Sequence, residues 1–243
     1  MSKTSAGTSR EGQQKAFVKP VDSWWTVLVI DTLAVRLVPL LARLRWVTPM
    51  GLTLASAVAG AAAAAAFELD ALPVGAILFE LKFVLDCLDG KLARARDVTS
   101  ATGGFVDAFL DVLITTACYV TLTRAAFDGA GTPTLAVLLA GGVMLEVWTR
   151  LYPLPPRSPS RSAPATGTQV LRRLQTLMAR RRLVLLPSTV ELETAALFLL
   201  PLTGQRELVR IGLVVAAVSY TVFVLLQGRR AIVRLRAHDR SQT

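Results

Sequence analysis

Apolar and polar positions follow one another along this chain in long blocks rather than in short alternations. Six nearly continuous apolar runs occupy residues 49–68, 72–94, 103–127, 133–152, 188–203 and 207–227. A helix needs about 20 mostly apolar residues to cross the hydrocarbon of a bilayer, so the pattern predicts six transmembrane helices. The fifth run is the shortest and carries Glu191 and Glu193 just behind "PST", which predicts a capped helix start with acidic residues at its positive end. Ahead of the first run, "WWTVLVIDTLAVRLVPLLARLRW" is broken by Asp31, Arg36, Pro39 and Arg43. Charges so placed are costly inside a bilayer, so residues 24–45 are expected to form an amphipathic helix lying in the interface. Trp24, Trp25 and Trp46 would then sit at headgroup depth, and Pro49 suits the first turn of the next helix. The expected fold is all-α and polytopic, one membrane-embedded domain over 23–227. A polar, aperiodic tail at 1–22, expected to be disordered, precedes it, and a basic tail at 228–243 follows.

Composition sharpens this. Hydrophobic residues make up 53% of the 243, above the share usual for soluble domains. The formal net charge of +10 invites a nucleic-acid reading, but its distribution argues against one. Lys3, Arg10, Lys15 and Lys19, Arg94 and Arg96, the arginines from 150 to 182 and those of the C-terminal tail all fall on one side of the six-span layout. Asp70, Asp128, Arg206 and Glu207 are the main ionic residues of the other side. That asymmetry is the positive-inside pattern. It predicts a multi-pass protein of the cytoplasmic membrane with both termini inside and no nucleic-acid partner. The arginines at 172–182 suit anionic lipid headgroups. No cleaved signal is expected, because the first apolar run begins late and lacks a small-residue cleavage site. Cys87 and Cys118 read as packing residues, and the lone His238 in the basic tail makes histidine-based catalysis or zinc binding a poor fit.

The chemistry concentrates in "DCLDGKLARARDVTSATGGFVDAFLD", residues 86–111. Asp86 and Asp89 are i,i+3 near the end of the second run, and Asp107 and Asp111 are i,i+4 near the start of the third, so each pair shares a helix face. The short link makes the two helices antiparallel neighbours, and both pairs come to the same depth near the cytoplasmic side. Four aspartates in a bilayer would cost on the order of 10 kcal/mol uncompensated. Close like charges also need a counter-charge. Two divalent cations with oxygen ligands would balance them, and all-carboxylate ligands favour Mg²⁺ or Mn²⁺. Gly90, with Ala93 one turn on, and Gly103 would let a ligand press against bare backbone, and the fork of Arg94 suits phosphate oxygens. The competing reading is an ion or proton-coupled transporter, since intramembrane carboxylates also line ion paths, but it leaves the Gly-Ala-Arg spacing unused.

The pattern D-x2-D-G-x2-A-R-x8-G-x3-D-x3-D, met here by Asp86, Asp89, Gly90, Ala93, Arg94, Gly103, Asp107 and Asp111, resembles the signature of the CDP-alcohol phosphotransferases. The resemblance implies transfer of a substituted phosphate, with a phosphatidyl group the leading choice, from a CDP-linked donor such as CDP-diacylglycerol to an alcohol, with release of CMP. It implies Asp86, Asp89 and Asp107 as metal ligands and Asp111 as both ligand and base. Gly90 and Arg94 would contact the donor, as would Ser100 and the "TPMGLT" segment through Pro49, Met50, Gly51 and Leu52. A homodimer is implied as well. For the acceptor alcohol, Lys82 and Arg150 are the candidates. Lys82 is otherwise expected to offset the charge of Asp86 one turn away, and Arg150 to pair with Glu146 at i,i+4.

Overall fold

In a computed structural model, residues 18–19, 21–127, 132–151, 176–178, 181–184 and 188–242 are described. They are helical apart from turns and one isolated bridge between Asp22 and Leu183. Helix α1 starts as a π-helical turn, Thr26–Ile30, and continues as Asp31–Arg43. Its two faces differ: Ala34 and Val38 are buried beside Leu88, while Leu33, Leu37 and Leu40 are exposed.

Helix α2, Pro49–Glu68, opens with Thr48 as its cap, the hydroxyl accepting from the Gly51 N–H at 3.0 Å. Its small residues admit close neighbours. A Cβ on Gly60 would stand 2.1 Å from Ile114 Cγ2, so the backbones of α2 and of α4 (Ala101–Ala126) approach closely there. Between them in sequence lies α3, Leu72–Ala95, the main packing partner of α2. The turn from α2 into α3 passes through Asp70 at φ 60, a left-handed position that aspartate tolerates. The turn from α3 into α4 is pinned by Arg96, whose guanidinium donates to the carbonyls of Leu41, Leu44 and Val47 at 2.7, 2.8 and 2.5 Å. Ser100 then caps α4, accepting from the Gly103 N–H at 3.0 Å.

Helix α5 is Thr132–Leu151. Helix α6 runs from Thr189–Glu193 through a π-helical stretch, Thr194–Leu199, into Leu200–Leu202. It begins with the cap that its sequence suggests: Ser188 and Glu191 form a capping box. Helix α7, Arg206–Gln242, is longer than its apolar run, because the basic tail continues the helix as far as Gln242. Phe67, Phe79, Tyr119, Leu139, Leu197, Leu213 and Tyr220 form the shared core. Cys118 is part of it, as expected of a packing residue.

Among the described residues, three helices are long and apolar enough to cross a membrane: Pro49–Glu68, Ala101–Ala126 and Arg206–Arg236. The other three predicted spans do not meet that standard. Glu80, Lys82, Asp86, Asp89, Lys91 and Arg94 make α3 too charged, the apolar part of α5 is the shorter Thr132–Leu145, and α6 is short. Large apolar side chains nevertheless face outward on several helices, among them Val58, Ile77, Phe105, Val137, Ile211 and Leu225. Residues 1–17, most of the loop 153–187, and the side chains of Glu146 and Arg150 lie outside the described residues. Val21 and Asp22, assigned from sequence to a disordered tail, are structured: Asp22 N–H donates to the Arg182 carbonyl at 2.9 Å and its carbonyl accepts from Val184 N–H at 3.2 Å.

Candidate active site

The last turns of α3 and the first turns of α4 face each other, and the eight motif residues lie along that seam. Asp86 interacts electrostatically with Asp107 and Asp111, and Asp107 in turn with Asp89. All four carboxylates therefore come together, as their spacing on two antiparallel helices predicts. Two of them have further partners. Buried Asp89 accepts a hydrogen bond from Thr53 Oγ1 on α2, and Asp111 Oδ1 pairs with the ammonium of Lys82. Asp107 Oδ1 is buried with no hydrogen-bond partner. Among the described residues, no three His, Cys, Asp or Glu side chains stand close enough to make a finished metal cage. Thr53 engages Asp89 and Lys82 engages Asp111, each from one side.

The donor set still fits a hard divalent cation. It consists of carboxylate oxygens only, and it includes a buried oxygen lacking any partner.

Two cavities meet at this seam. One, of about 420 Å³, has all four aspartates on one wall and Asp22, Thr26, Ser188 and Glu193 on another. The second, of about 380 Å³, is lined by Thr48, Pro49, Met50, Thr53, Ala93 and Ser100, with Gly103 and Gly104. Asp89, Gly90, Arg94 and Asp107 line both. The N-termini of α2 and α4 open onto the second cavity through their capping residues, and helix N-termini favour anions. An anionic group thus has a place to lie along the shared wall.

Most residues singled out from sequence line these cavities; Gly51, Leu52 and Lys82 do not. The Gly51 N–H is taken by the Thr48 cap, and Leu52 packs into the apolar cluster of α1. Ser100 lines the second cavity, but its hydroxyl is engaged as the cap of α4. Lys82 contacts Asp111 on the neighbouring helix, with Asp86 within electrostatic range.

Several wall residues escaped the sequence reading. Thr53 is one. Glu193, singled out from sequence as an acidic residue at its helix start, also lines the first cavity and accepts from Tyr220 Oη at 2.7 Å. A further group lies behind that cavity on the side of α1, with Lys91 and Val184 reaching its wall. Buried Asp31 accepts from Arg182 at 2.7 Å and lies 3.3 Å from Lys91 Nζ. Trp24 Nε1 donates to the Val184 carbonyl at 2.8 Å. The Asp31–Arg182 and Trp24–Val184 contacts join residues more than 150 positions apart. The only local signal for them was the buried charge at Asp31 in an otherwise apolar stretch.

Comparison with known proteins agrees with the motif. The family model for CDP-alcohol phosphatidyltransferase matches residues 46–227. A bifunctional IPC transferase and DIPP synthase from Thermococcus kodakarensis is 35% identical over 107 residues, 44% of this chain and 24% of that protein. An archaetidylinositol phosphate synthase from Methanothermobacter thermautotrophicus is 35% identical over 95 residues, 39% of this chain and 48% of that protein. The chain thus spans about a quarter and about half of the length of these curated relatives. Among solved structures, the Mycobacterium tuberculosis phosphatidylinositol phosphate synthase with CDP-DAG bound aligns with a TM-score of 0.54 at 16% identity, covering 82% of this chain and 92% of that one. At that identity the likeness concerns the fold.

Proposed function

The chain belongs to the CDP-alcohol phosphatidyltransferase family, and from that premise we propose that it transfers a substituted phosphate from a CDP-linked lipid to an alcohol hydroxyl, releasing CMP. The observation that carries this reading is the shared wall: Asp89, Gly90, Arg94 and Asp107 border both cavities. A nucleotide diphosphate in the second cavity and an alcohol in the first would then meet at the motif carboxylates. The family match favours this over the ion-coupled transporter, which gives no role to the second cavity.

In this mechanism Asp86, Asp89, Asp107 and Asp111 hold Mg²⁺ or Mn²⁺, two ions for four carboxylates. When bound, such ions offset negative charge on the phosphate and on the leaving CMP. Arg94 binds diphosphate oxygens through its fork, and Gly90 lets the donor approach the α3 backbone. Asp111, whose side chain is 38% exposed on the first cavity, takes the proton of the acceptor hydroxyl as that oxygen attacks phosphorus. The P–O bond to CMP breaks as the new P–O bond forms. CDP-diacylglycerol is the donor to try first. Two of the similar proteins are named for inositol-phosphate products, so an inositol phosphate heads the acceptors to be screened.

The same reading includes the membrane arrangement. We infer six crossing helices, α2 to α7, with α1 in the interface, both termini and the site on the cytoplasmic side of the cell membrane, and a homodimer as the assembly. Helix α3 supports its own crossing: Asp86, Asp89, Lys91 and Arg94 line the cavities, while Ile77 and Leu81 face outward. The arginines near 182 suit anionic headgroups. Purified protein in nanodiscs, supplied with CDP-diacylglycerol, Mg²⁺ and a panel of alcohols, should release CMP with at least one of them. It should stop on chelation and recover on adding Mg²⁺ or Mn²⁺. Full turnover in excess EDTA would remove the metal assignment, and no CMP from any CDP-linked donor would remove the activity.

A further inference from the structure

Lys82 is a charged group at the seam that the proposed reaction leaves without a task. It is 2% exposed, one turn below Asp86 on α3. A buried ammonium is costly unless something receives it, and three helices together build its seat. Gly60 of α2 leaves room for the stem, since a Cβ there would stand 3.0 Å from Lys82 Cγ. Ser56 Oγ, also on α2, donates to the Lys82 carbonyl at 3.0 Å. The Phe79 ring centre lies 5.6 Å from Nζ. From α4, Thr115 Oγ1 is 3.4 Å from Nζ and 3.4 Å from Asp111 Oδ1. The seat ends on Asp111, which is itself part of the cavity wall.

We propose that Lys82 is a positioning residue for the transfer reaction. Its ammonium, with Thr115, fixes the Asp111 carboxylate at the cavity wall and offsets one of the four negative charges gathered there. The proposal rests on the reading of Asp111 as proton acceptor and adds to it the group that orients this acceptor. It has two consequences of opposite sign. A carboxylate held from one side presents the same face to each acceptor, so loss of Lys82 slows transfer. A fixed positive charge also repels divalent cations, so loss of Lys82 tightens metal binding. A lysine serving only the fold would produce no such split.

The test uses the full chain in nanodiscs, with metal-free protein titrated with Mn²⁺ by electron paramagnetic resonance and CMP release measured separately with CDP-diacylglycerol. Lys82→Met should bind Mn²⁺ about tenfold more tightly yet show kcat lowered ~10–100-fold with donor KM nearly unchanged. Lys82→Gln, whose amide still donates to Asp111, should regain part of the turnover and keep the tighter Mn²⁺ binding. In an Asp111→Asn background, Lys82→Met should cost no further turnover, because the two act as one unit. Wild-type kcat in Lys82→Met, or weaker Mn²⁺ binding, would overturn the proposal. If the Met variant aggregates, Lys82→Gln decides on the same two signs. An active Asp111→Asn would sink the base assignment itself, whereas an inactive Asp111→Asn beside a fully active Lys82→Met would sink only the role given to Lys82.

Discussion

Asp86 and Asp111 carry the same side chain within one cluster, yet their surroundings assign them different work. Asp111 is open to the first cavity and tethered at one oxygen by Lys82. Asp86 interacts with both α4 aspartates and with Lys82. Asparagine keeps the size and a carbonyl oxygen but loses the basic carboxylate. Asp111→Asn should therefore still bind the CDP-linked donor with metal while losing transfer ~10²–10⁴-fold. Asp86→Asn should instead lose metal-dependent donor binding; titrations and CMP-release rates on both variants separate the two outcomes. Thr53→Val keeps the shape and removes the donor to Asp89, and should weaken Mn²⁺ binding about tenfold, the scale of a hydrogen bond to a charged group. Mn²⁺ titration reads this directly. The motif residues were legible in the sequence because their spacing alone puts them on facing helix surfaces. Thr53 was not, because its bond to Asp89 depends on how α2 lies against α3. Lys82 points the same way: local spacing offers Asp86 as its partner, and the packing of α4 supplies Asp111.

At the scale of helices, the boundaries follow sequence signals where those signals are chemical. Thr48–Pro49, Ser100 and Ser188 each mark a start, and α2 begins and ends as its apolar run does. The end of α7 was less legible, because apolarity stops at residue 227 while a run of arginines, good helix formers, carries the helix on. Packing between helices was legible only as small residues, without their partners. At Gly60 the space proves to be shared between Ile114 of α4 and the stem of Lys82. Gly60→Val should thus destabilise the protein by about 1–3 kcal/mol or more through overpacking, with activity lost alongside. Gly228→Ala, where a Cβ meets nothing within 4 Å, should leave the melting temperature unchanged or slightly raised, since alanine is the better helix former. Thermal unfolding of both variants in one detergent makes the comparison. Equal melting temperatures would mean that α2 and α4 can separate at Gly60 without cost.

For the whole molecule, the direction of each helix decides whether the charge asymmetry of the sequence survives folding. Helices α2, α4 and α6 start at the active-site end, where their caps lie beside the two cavities. Helix α3 ends there, with Arg94 on both cavity walls and Arg96 bonded to the carbonyls after α1. Helix α7 starts at the far end, because Arg206 pairs with Asp70 in the turn after α2. It therefore runs back toward the active-site end, and the arginines of its last turns emerge on the same side as Arg94 and Arg96. Positive charge thus collects at one end of the bundle through helix direction alone, and in the proposed orientation, which follows the positive-inside rule, that end faces the cytoplasm. A donor made at the cytoplasmic face would then reach the second cavity without crossing the bilayer. The arrangement is testable in a background of Cys87→Ser and Cys118→Ala. Gln205→Cys, in the turn before α7, should react with an impermeant maleimide in intact cells. Val98→Cys, between α3 and α4, and His238→Cys should react only after permeabilisation. Labelling of Val98→Cys from outside, with Gln205→Cys protected, would turn the molecule over. Labelling of Gln205→Cys and His238→Cys together from outside would place both ends of α7 on one face, and the helix could not be a span.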